Sequence, residues 1–257
     1  MIRSTTIVFI TGAYVSHTCW NEWQHFFQQK GYNCMAPPWP EKEGTAALLR
    51  EKHPDKKLAS VTMAQIIERY EQVISLLPEK PIVIGHSFGG LFAQILLNRK
   101  LAAAAVAIHA VPPQGIIPFE LNFLRSNFAT LGLFSSLNQP YLMPLEKWRF
   151  VFTNGMSLIE QETTYDALVI PESRRAARGG LTSAAYVNFK LPHEPLLLLA
   201  GTDDHCIPES LCRRVYNAYK DKNSVTEYIV NKRNHFVLGA QGWERDAELV
   251  YQWIKEH

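Results

Sequence analysis

The stretch from Ile82 to Ala93 constrains this chain more than any other. A β-branched run, Ile82-Val83-Ile84, opens after Pro81 and reads as a buried strand, while Leu91 to Asn98 carries apolar residues at helical spacing. Only Gly85-His86-Ser87-Phe88-Gly89-Gly90 lies between them, so the strand must turn sharply into a helix with a serine at the bend. A turn this tight forces its central residue into a strained conformation, and glycine at both flanks removes the clash between strand and helix. The strain lifts the Ser87 hydroxyl clear of the sheet, and the Phe88 N–H lies at the helix N-terminus, where it can stabilise an oxyanion. His86 lies inside the same turn, but the backbone aims it away from that hydroxyl, so it is read as a packing or supporting residue and not as the base.

The rest of the chain alternates in the manner this turn requires. Ile7 to Ile10 is a β-branched run ending at Thr11-Gly12-Ala13-Tyr14, and a helix carrying Trp20, Trp23, Phe26 and Phe27 follows up to Gly31. Tyr32 to Ala36 reads as a second strand, stopped by Pro37-Pro38-Trp39-Pro40, and a charged loop is expected to run on to Ser60. Ser60 or Thr62 then caps a helix reaching Leu77, with Ile66, Ile67, Tyr70, Val73, Ile74 and Leu77 on one face. After the serine turn, Ala104 to His109 gives a fourth strand. Strands and helices that alternate in this way build an α/β fold, a mostly parallel central sheet with helices on both faces, whose ligands bind at the carboxyl ends of the strands.

The alternation breaks after Val111. Pro112, Pro113, Gly115 and Pro118 open a stretch of helical segments without strands, lasting to about Lys190. This divides the chain into a core of residues 1–111 and 191–257 and a helical cap insertion of residues 112–190. Among the cap aromatics, Phe119, Phe123, Phe128, Phe134, Tyr141, Trp148, Phe150, Phe152 and Tyr186, most are expected to pack the cap and a few to line an apolar pocket facing Ser87. Arg174, Arg175 and Arg178 could bind an anionic group, although a solvated helix face is the simpler reading. Alternation resumes with the strand Pro195 to Ala200, a helix from about Glu209 to Tyr219, a strand from Val225 to Val230, and a final helix after the loop Asn231 to Phe236.

Size and charge narrow the function classes. At 257 residues one well-buried domain with an insertion is the expectation. With 19% charged residues and a formal net charge of +2, no electrostatic footprint for nucleic acid or an anionic membrane stands out. Cys19, Cys34, Cys206 and Cys212 form no C-x-x-C pair and no zinc spacing, which suggests reduced thiols and a cytoplasmic location. Thr5 to Ile10 is too short for a secretory apolar region, and the longest nearly apolar run, Leu101 to Ile108, falls far below the roughly 20 residues that cross a bilayer. The expected partner is a small molecule, with neither metal nor cofactor.

An acyl-transfer site needs a nucleophile, a base, an acid that orients the base, and oxyanion donors. In chain order the candidates are Ser87, then Asp203 or Asp204 after the strand ending at Ala200, then His235 before the last helix. Successive residues of an extended chain point to opposite sides, so only one of the two aspartates can face the imidazole. Adjacent aspartates without further ligand spacing make a poor metal site.

These residues resemble the α/β-hydrolase fold superfamily over essentially the whole chain, most densely in Gly85-His86-Ser87-Phe88-Gly89-Gly90, in Gly201-x-x-Asp204-x-x-x-Pro208 and in Asn234-His235-Phe236. The resemblance implies Ser87 as nucleophile, His235 as base and Asp204 as the orienting acid. It also implies a second oxyanion donor after the first strand. There the family usually has His-Gly-x and this chain has Thr11-Gly12-Ala13, so Ala13 should donate beside Phe88, with Tyr14 as the weaker candidate. The implied activity is a cofactor-free serine hydrolase acting through an acyl-enzyme on a carboxylic ester. If residues 112–190 close an aromatic pocket over Ser87, short to medium apolar acyl esters are expected to be preferred over charged ones.

Other members of the superfamily mark the alternatives. Ser87 argues against epoxide hydrolases and haloalkane dehalogenases, which use an aspartate nucleophile. The Trp-rich first loop also resembles plant esterases and hydroxynitrile lyases, but the lyases carry a lysine directly after the base, where this chain has Phe236. Carbon–carbon bond hydrolases and cofactor-free perhydrolases or haloperoxidases share the triad. A non-catalytic ligand-binding member is the competing class.

Overall fold

The computed structural model describes residues 2–132, 135–221 and 223–257, which leaves Phe134 outside the described residues. Six strands form one parallel sheet: β1 (Thr6–Ile10), β2 (Asn33–Met35), β3 (Ile82–His86), β4 (Ala104–Ile108), β5 (Leu196–Gly201) and β6 (Thr226–Asn231). Their spatial order is β2-β1-β3-β4-β5-β6. β1, β3, β4 and β5 are buried along their whole length, and this is why they read as unbroken apolar runs instead of alternating ones. β6, at the edge, is half-buried throughout.

Helices cover both faces, as the alternation requires. On one face α1 (Asn21–Gln29) and α11 (Trp243–Glu256) bring Trp23, Phe27, Val250 and Trp253 against Phe9, Ile84 and Val106. On the other, α4 (Met63–Ser75), α5 (Phe88–Asn98) and α10 (Glu209–Ala218) pack Ile66, Tyr70, Leu96 and Leu211 against Val8, Val83, Leu196 and Leu198. Thr62 is the N-cap of α4, in a reciprocal capping box with Gln65, and this settles the choice between Ser60 and Thr62. The loop expected up to Ser60 contains two short helices, α2 (Ala46–Glu51) and α3 (Lys56–Ser60), capped by Thr45 and Asp55. Five or six residues hold too little apolar periodicity to be told from a loop by pattern.

Between β4 and β5 lie α6 (Leu121–Leu131), α7 (Leu145–Val151), α8 (Leu158–Leu168) and α9 (Arg174–Gly179), with no named strand among the described residues. Two isolated antiparallel bridges, Val15 to Val169 and Tyr141 to Glu172, fasten this segment to the loop after β1 and to itself. Among the described residues no helix is long and apolar enough to cross a membrane.

The topology fixes where a ligand can enter. The chain runs from β1 outward to β2, then returns past β1 to β3, so the loops leaving β1 and β3 diverge and open a crevice at their carboxyl ends. Ala13 and Ser87 stand on those two loops. The turn after β3 is as tight as the sequence demands. A Cβ on Gly85 would lie 1.9 Å from the Gly89 carbonyl oxygen, and one on Gly89 would lie 2.0 Å from that of Ile10. Both obstacles are backbone and cannot rotate away. Gly89→Ala is therefore expected to destabilise the fold by roughly 3 kcal/mol or more. That is a fall of about 6–12 °C in melting temperature for a chain of this size, which thermal unfolding followed by circular dichroism would check.

Candidate active site

Ser87 has φ 57° and ψ −118°, left-handed backbone that a non-glycine residue seldom adopts. Its neighbours over-determine the conformation: its N–H donates to the Ile108 carbonyl at 3.0 Å, and its own carbonyl accepts from Gly90 and Val111, both at 3.0 Å. Phe88 begins α5, so its N–H belongs to the first turn, which has no intrahelical acceptor. Across the crevice, a Cβ on Gly12 would sit 2.7 Å from the Ser87 Cβ and 3.3 Å from its Oγ. Only a glycine lets the loop after β1 come this close to the hydroxyl.

The two remaining sequence candidates, Asp204 and His235, meet each other, and no hydrogen bond joins His235 to Ser87. The His235 Nδ1 donates to Asp204 Oδ2 at 2.7 Å, and both side chains are fully buried. The opposite ring nitrogen of His235, Nε2, is buried and has no hydrogen-bond partner among the described residues. The other Asp204 oxygen, Oδ1, accepts the N–H groups of Cys206 at 2.7 Å and Ile207 at 2.8 Å. Burial alone would raise the Asp204 carboxyl, but the attraction of His235 and the imidazole hydrogen bonds outweigh it and hold the group well below the usual carboxylate range. Asp203 is exposed and accepts from the Thr202 hydroxyl at 3.0 Å, so of the two aspartates the structure brings only Asp204 to the imidazole. His86 Nε2 lies 2.8 Å from the His235 carbonyl oxygen, a supporting contact on the backbone of that loop.

Two groups at the site were not singled out from the sequence. His109, directly after β4, places Nδ1 2.8 Å from the same Asp204 Oδ2. A lone histidine ending an otherwise apolar strand, at the edge where ligands bind, is the signal that marks it. The second is the buried pair Lys42 and Glu172. Glu172 Oε2 also accepts the Tyr14 N–H at 3.1 Å, which commits that N–H and leaves Ala13 as the donor candidate on the loop. Glu172 Oε1 accepts from Ser173 N–H at 2.8 Å, and the Lys42 ammonium stacks 4.0 Å above the Trp39 ring. Burial pulls the Lys42 ammonium down, against the attraction of Glu172. Two residues far apart in sequence, neither near a motif, gave no sign of this pairing.

The segment between β4 and β5 covers the site. Phe152 stands edge-on to the His235 ring at 4.7 Å, stacks on Trp148 at 4.5 Å, and its carbonyl accepts the Phe236 N–H at 3.0 Å. Ala13, Ser87, Phe88, Val111, Asn127 and Phe152 line a small cavity of about 20 Å³ at the hydroxyl. Through Phe88, Val111 and Asn127 it shares walls with a cavity of about 260 Å³, to which Ile116, Ile117, Phe123, Leu131 and Leu181 contribute. Of the expected pocket aromatics, Phe123 and Phe152 face these spaces, Trp148 is fully buried, and Phe119, Phe128 and Tyr186 are exposed. The arginines do not converge on an anion site. Arg178 donates to the carbonyls of Leu131 at 3.0 Å and Ser135 at 2.9 Å, Arg175 donates to Asn138, and Arg174 lies over the Tyr141 ring.

His109, Asp204 and His235 place three ligand-type atoms close together. Their 2.7 and 2.8 Å separations are hydrogen-bond lengths, whereas donors around a tetrahedral zinc stand roughly 3.3 Å apart. Both Nδ1 atoms are committed to the carboxylate as N–H donors, so the donor set does not fit a metal.

The chain belongs to the alpha/beta hydrolase family, whose model matches residues 7–249. No curated protein matches it at a significant level. Among solved structures it is similar to an extracellular alpha/beta-hydrolase from a Paenibacillus species, described as sharing structural and functional homology with tobacco salicylic acid binding protein 2. There the identity is 22%, the TM-score 0.70, and 96% of this chain and 98% of that one are covered. It is similar to a pyrethroid hydrolase from Sphingobium faniae JZ-2 at 18% identity and TM-score 0.67, over 98% of both chains. It is also similar to a methylesterase from Arabidopsis at 16% identity and TM-score 0.66, over 96% of this chain and 98% of that one. At these identities the likeness is one of fold, and the expected class of hydrolase agrees with the family.

The buried ion pair gives this site a testable support. Removing one partner strands a buried charge, so Glu172→Gln is expected to cost about 3–5 kcal/mol in urea unfolding, and Lys42→Met a similar amount. Lys42→Met with Glu172→Gln together should recover most of the loss, the signature of a coupled pair in a double-mutant cycle.

Proposed function

We propose that this protein is a serine hydrolase that cleaves a carboxylic ester through an acyl-enzyme. The observation that carries the reading is the buried Asp204–His235 hydrogen bond of 2.7 Å together with a serine held at φ 57° in a strand-to-helix turn, with the Phe88 N–H unbonded within its own helix. In the proposed reaction the Ser87 Oγ attacks the ester carbonyl carbon while its proton passes to His235 Nε2. The Nδ1–H bond to Asp204 fixes the tautomer that leaves Nε2 free to accept and stabilises the imidazolium that forms. The N–H groups of Ala13 and Phe88 hold the tetrahedral oxyanion. Nε2–H then protonates the departing alcohol as the carbon–oxygen bond breaks, and a water, deprotonated by the same nitrogen, hydrolyses the acyl-enzyme and restores Ser87. The Ser87–His235 bond closes with substrate in place, as apo geometries of such pairs are commonly loose.

The cavities support an apolar ester as the substrate class. A space of about 260 Å³ walled by prolines, isoleucines and phenylalanine shares Phe88, Val111 and Asn127 with the small cavity at Ser87, and filling it with hydrocarbon gains about 25 cal/mol per Å² of apolar area removed from water. An uncharged, apolar ester fits it, and the names of the methylesterase and of the pyrethroid hydrolase with the same fold agree with a hydrolytic role.

A fluorophosphonate should label Ser87, identified by peptide mapping, and Ser87→Ala should abolish both labelling and ester hydrolysis, a loss on the order of 10⁶ in kcat. Asp204→Asn should cost roughly 10⁴. Asp203→Asn, at an exposed position, should change the rate less than about tenfold. More than a few per cent of activity in Ser87→Ala would sink the serine mechanism.

Pocket use is read separately. With p-nitrophenyl esters of graded length, Ile116→Trp should leave acetate hydrolysis nearly unchanged and lower kcat/KM for hexanoate by about tenfold or more, since each buried methylene contributes roughly 0.8 kcal/mol. Equal losses on both esters would place the acyl chain elsewhere.

A further inference from the structure

We propose that His109 is a positioning residue for the Asp204–His235 pair: its imidazole donates a second N–H to the carboxylate oxygen that receives His235, and so sets how strongly His235 holds a proton. The inference rests on the reading of His235 as the base.

The geometry is specific. Asp204 Oδ2 lies 2.7 Å from His235 Nδ1 and 2.8 Å from His109 Nδ1, while Oδ1 takes the Cys206 and Ile207 N–H groups. An ionised carboxylate only accepts, so both Nδ1 atoms carry protons, and four donors fill its four lone-pair sites. His109 is held where it can do this at a local cost. Its φ is 48°, left-handed backbone at a non-glycine residue, and its N–H is tied to the Leu199 carbonyl at 2.8 Å. The ring lies against Gly201, where a Cβ would stand 2.2 Å from the Arg233 carbonyl oxygen and 2.5 Å from the His109 Cε1, so any other residue at 201 would push against both the loop after β6 and the imidazole. Strain, a glycine-only neighbour and full burial converge on one hydrogen bond.

Its consequence is electrostatic. Two donors on one oxygen share its negative charge, so the second imidazole weakens the pull of Asp204 on the His235 N–H and disfavours the His235 imidazolium. Without His109 the carboxylate, still held at Oδ1 by the Cys206 and Ile207 N–H groups, would present the whole charge of Oδ2 to His235 and would bind its proton more tightly. The charged and titratable groups facing His109 all come from other elements. They are Asp204 after β5, the His235 ring at 6.0 Å after β6, the His86 ring at 6.3 Å on β3, and from α11 Asp246, which is paired with Arg233 at 2.7 Å. The buried thiols of Cys206 and Cys212 near the carboxylate are pushed up by burial and stay neutral.

The test is a pH titration by NMR of the ¹⁵N-histidine-labelled protein, with fluorophosphonate labelling of Ser87 followed over the same pH range. In His109→Leu the His235 midpoint should rise by about 0.5 to 1 in pH, and the acid limb of the labelling rate should rise with it. His109→Asn, whose Nδ2–H can occupy the place of Nδ1–H, should restore both to the wild-type position. A folded His109→Leu protein with an unmoved His235 midpoint overturns the inference, as does an Asn variant that behaves like Leu. If His109→Leu does not fold, the wild-type spectra decide: His109 Nδ1 must keep its proton while His235 titrates, and its signal must follow that titration. A His109 with bare Nδ1 refutes the proposal. A wild-type Ser87 that takes no label would instead refute the hydrolase reading, while the His235 midpoint still decides the role of His109.

Discussion

The arrangement depends on keeping one carboxylate ionised in the interior. Asp204 is fully buried, and an isolated charge there would cost several kcal/mol after relaxation. The protein offsets this with four donors drawn from three places: two backbone N–H groups from its own turn, His235 from the loop after β6, and His109 from the end of β4. Each donor is brought by a strand of the same parallel sheet, and all three strands present their carboxyl ends to the same edge. The sheet thus places the donors, and the carboxylate ties the loops after β4, β5 and β6 together in return. An apolar residue at 204 would leave two imidazoles and two backbone N–H groups without their acceptor.

A second constraint acts at the other side of the crevice. The sharp turn at Ser87 is tolerated because Gly85 and Gly89 let backbone meet backbone, and Gly12 lets the first loop approach the hydroxyl. That loop lacks the histidine that usually supports it in the family. Here Glu172 receives the Tyr14 N–H and is itself neutralised by Lys42, so the segment between β4 and β5 supplies the missing support from above. The same segment brings Phe152 against His235 and encloses the cavities beside Ser87. The covering segment, the loop after β1 and His235 are consequently joined by packing, through Tyr14 on Glu172 and Phe152 on the His235 ring.

The serine turn and the six strands were legible because each is a local statement. Strand runs and flanking glycines are set by sterics within a few residues of chain. The preference for Asp204 over Asp203 came from the family spacing between Gly201 and Pro208, and the hydrogen bond of Asp204 to His235 is a contact between separate loops. Two short helices before Thr62 were not legible, since five or six residues carry too little period. Nor was the decision between Ala13 and Tyr14, because it hangs on a hydrogen bond to Glu172, more than 150 residues away.

The sequence by itself determined that the chain folds as an alternating parallel α/β structure with a serine at a strained strand-to-helix turn, since backbone sterics and apolar periodicity act between near neighbours. Only the tertiary structure decided which side chains share a buried oxygen, which arginines are spent on cap carbonyls, and which aromatics face the cavity. Those outcomes depend on distances between strand ends and covering helices that no run of adjacent residues encodes. His109 shows the difference most plainly: in the sequence it is the last residue of an apolar strand, and in the fold it is the second imidazole on Asp204.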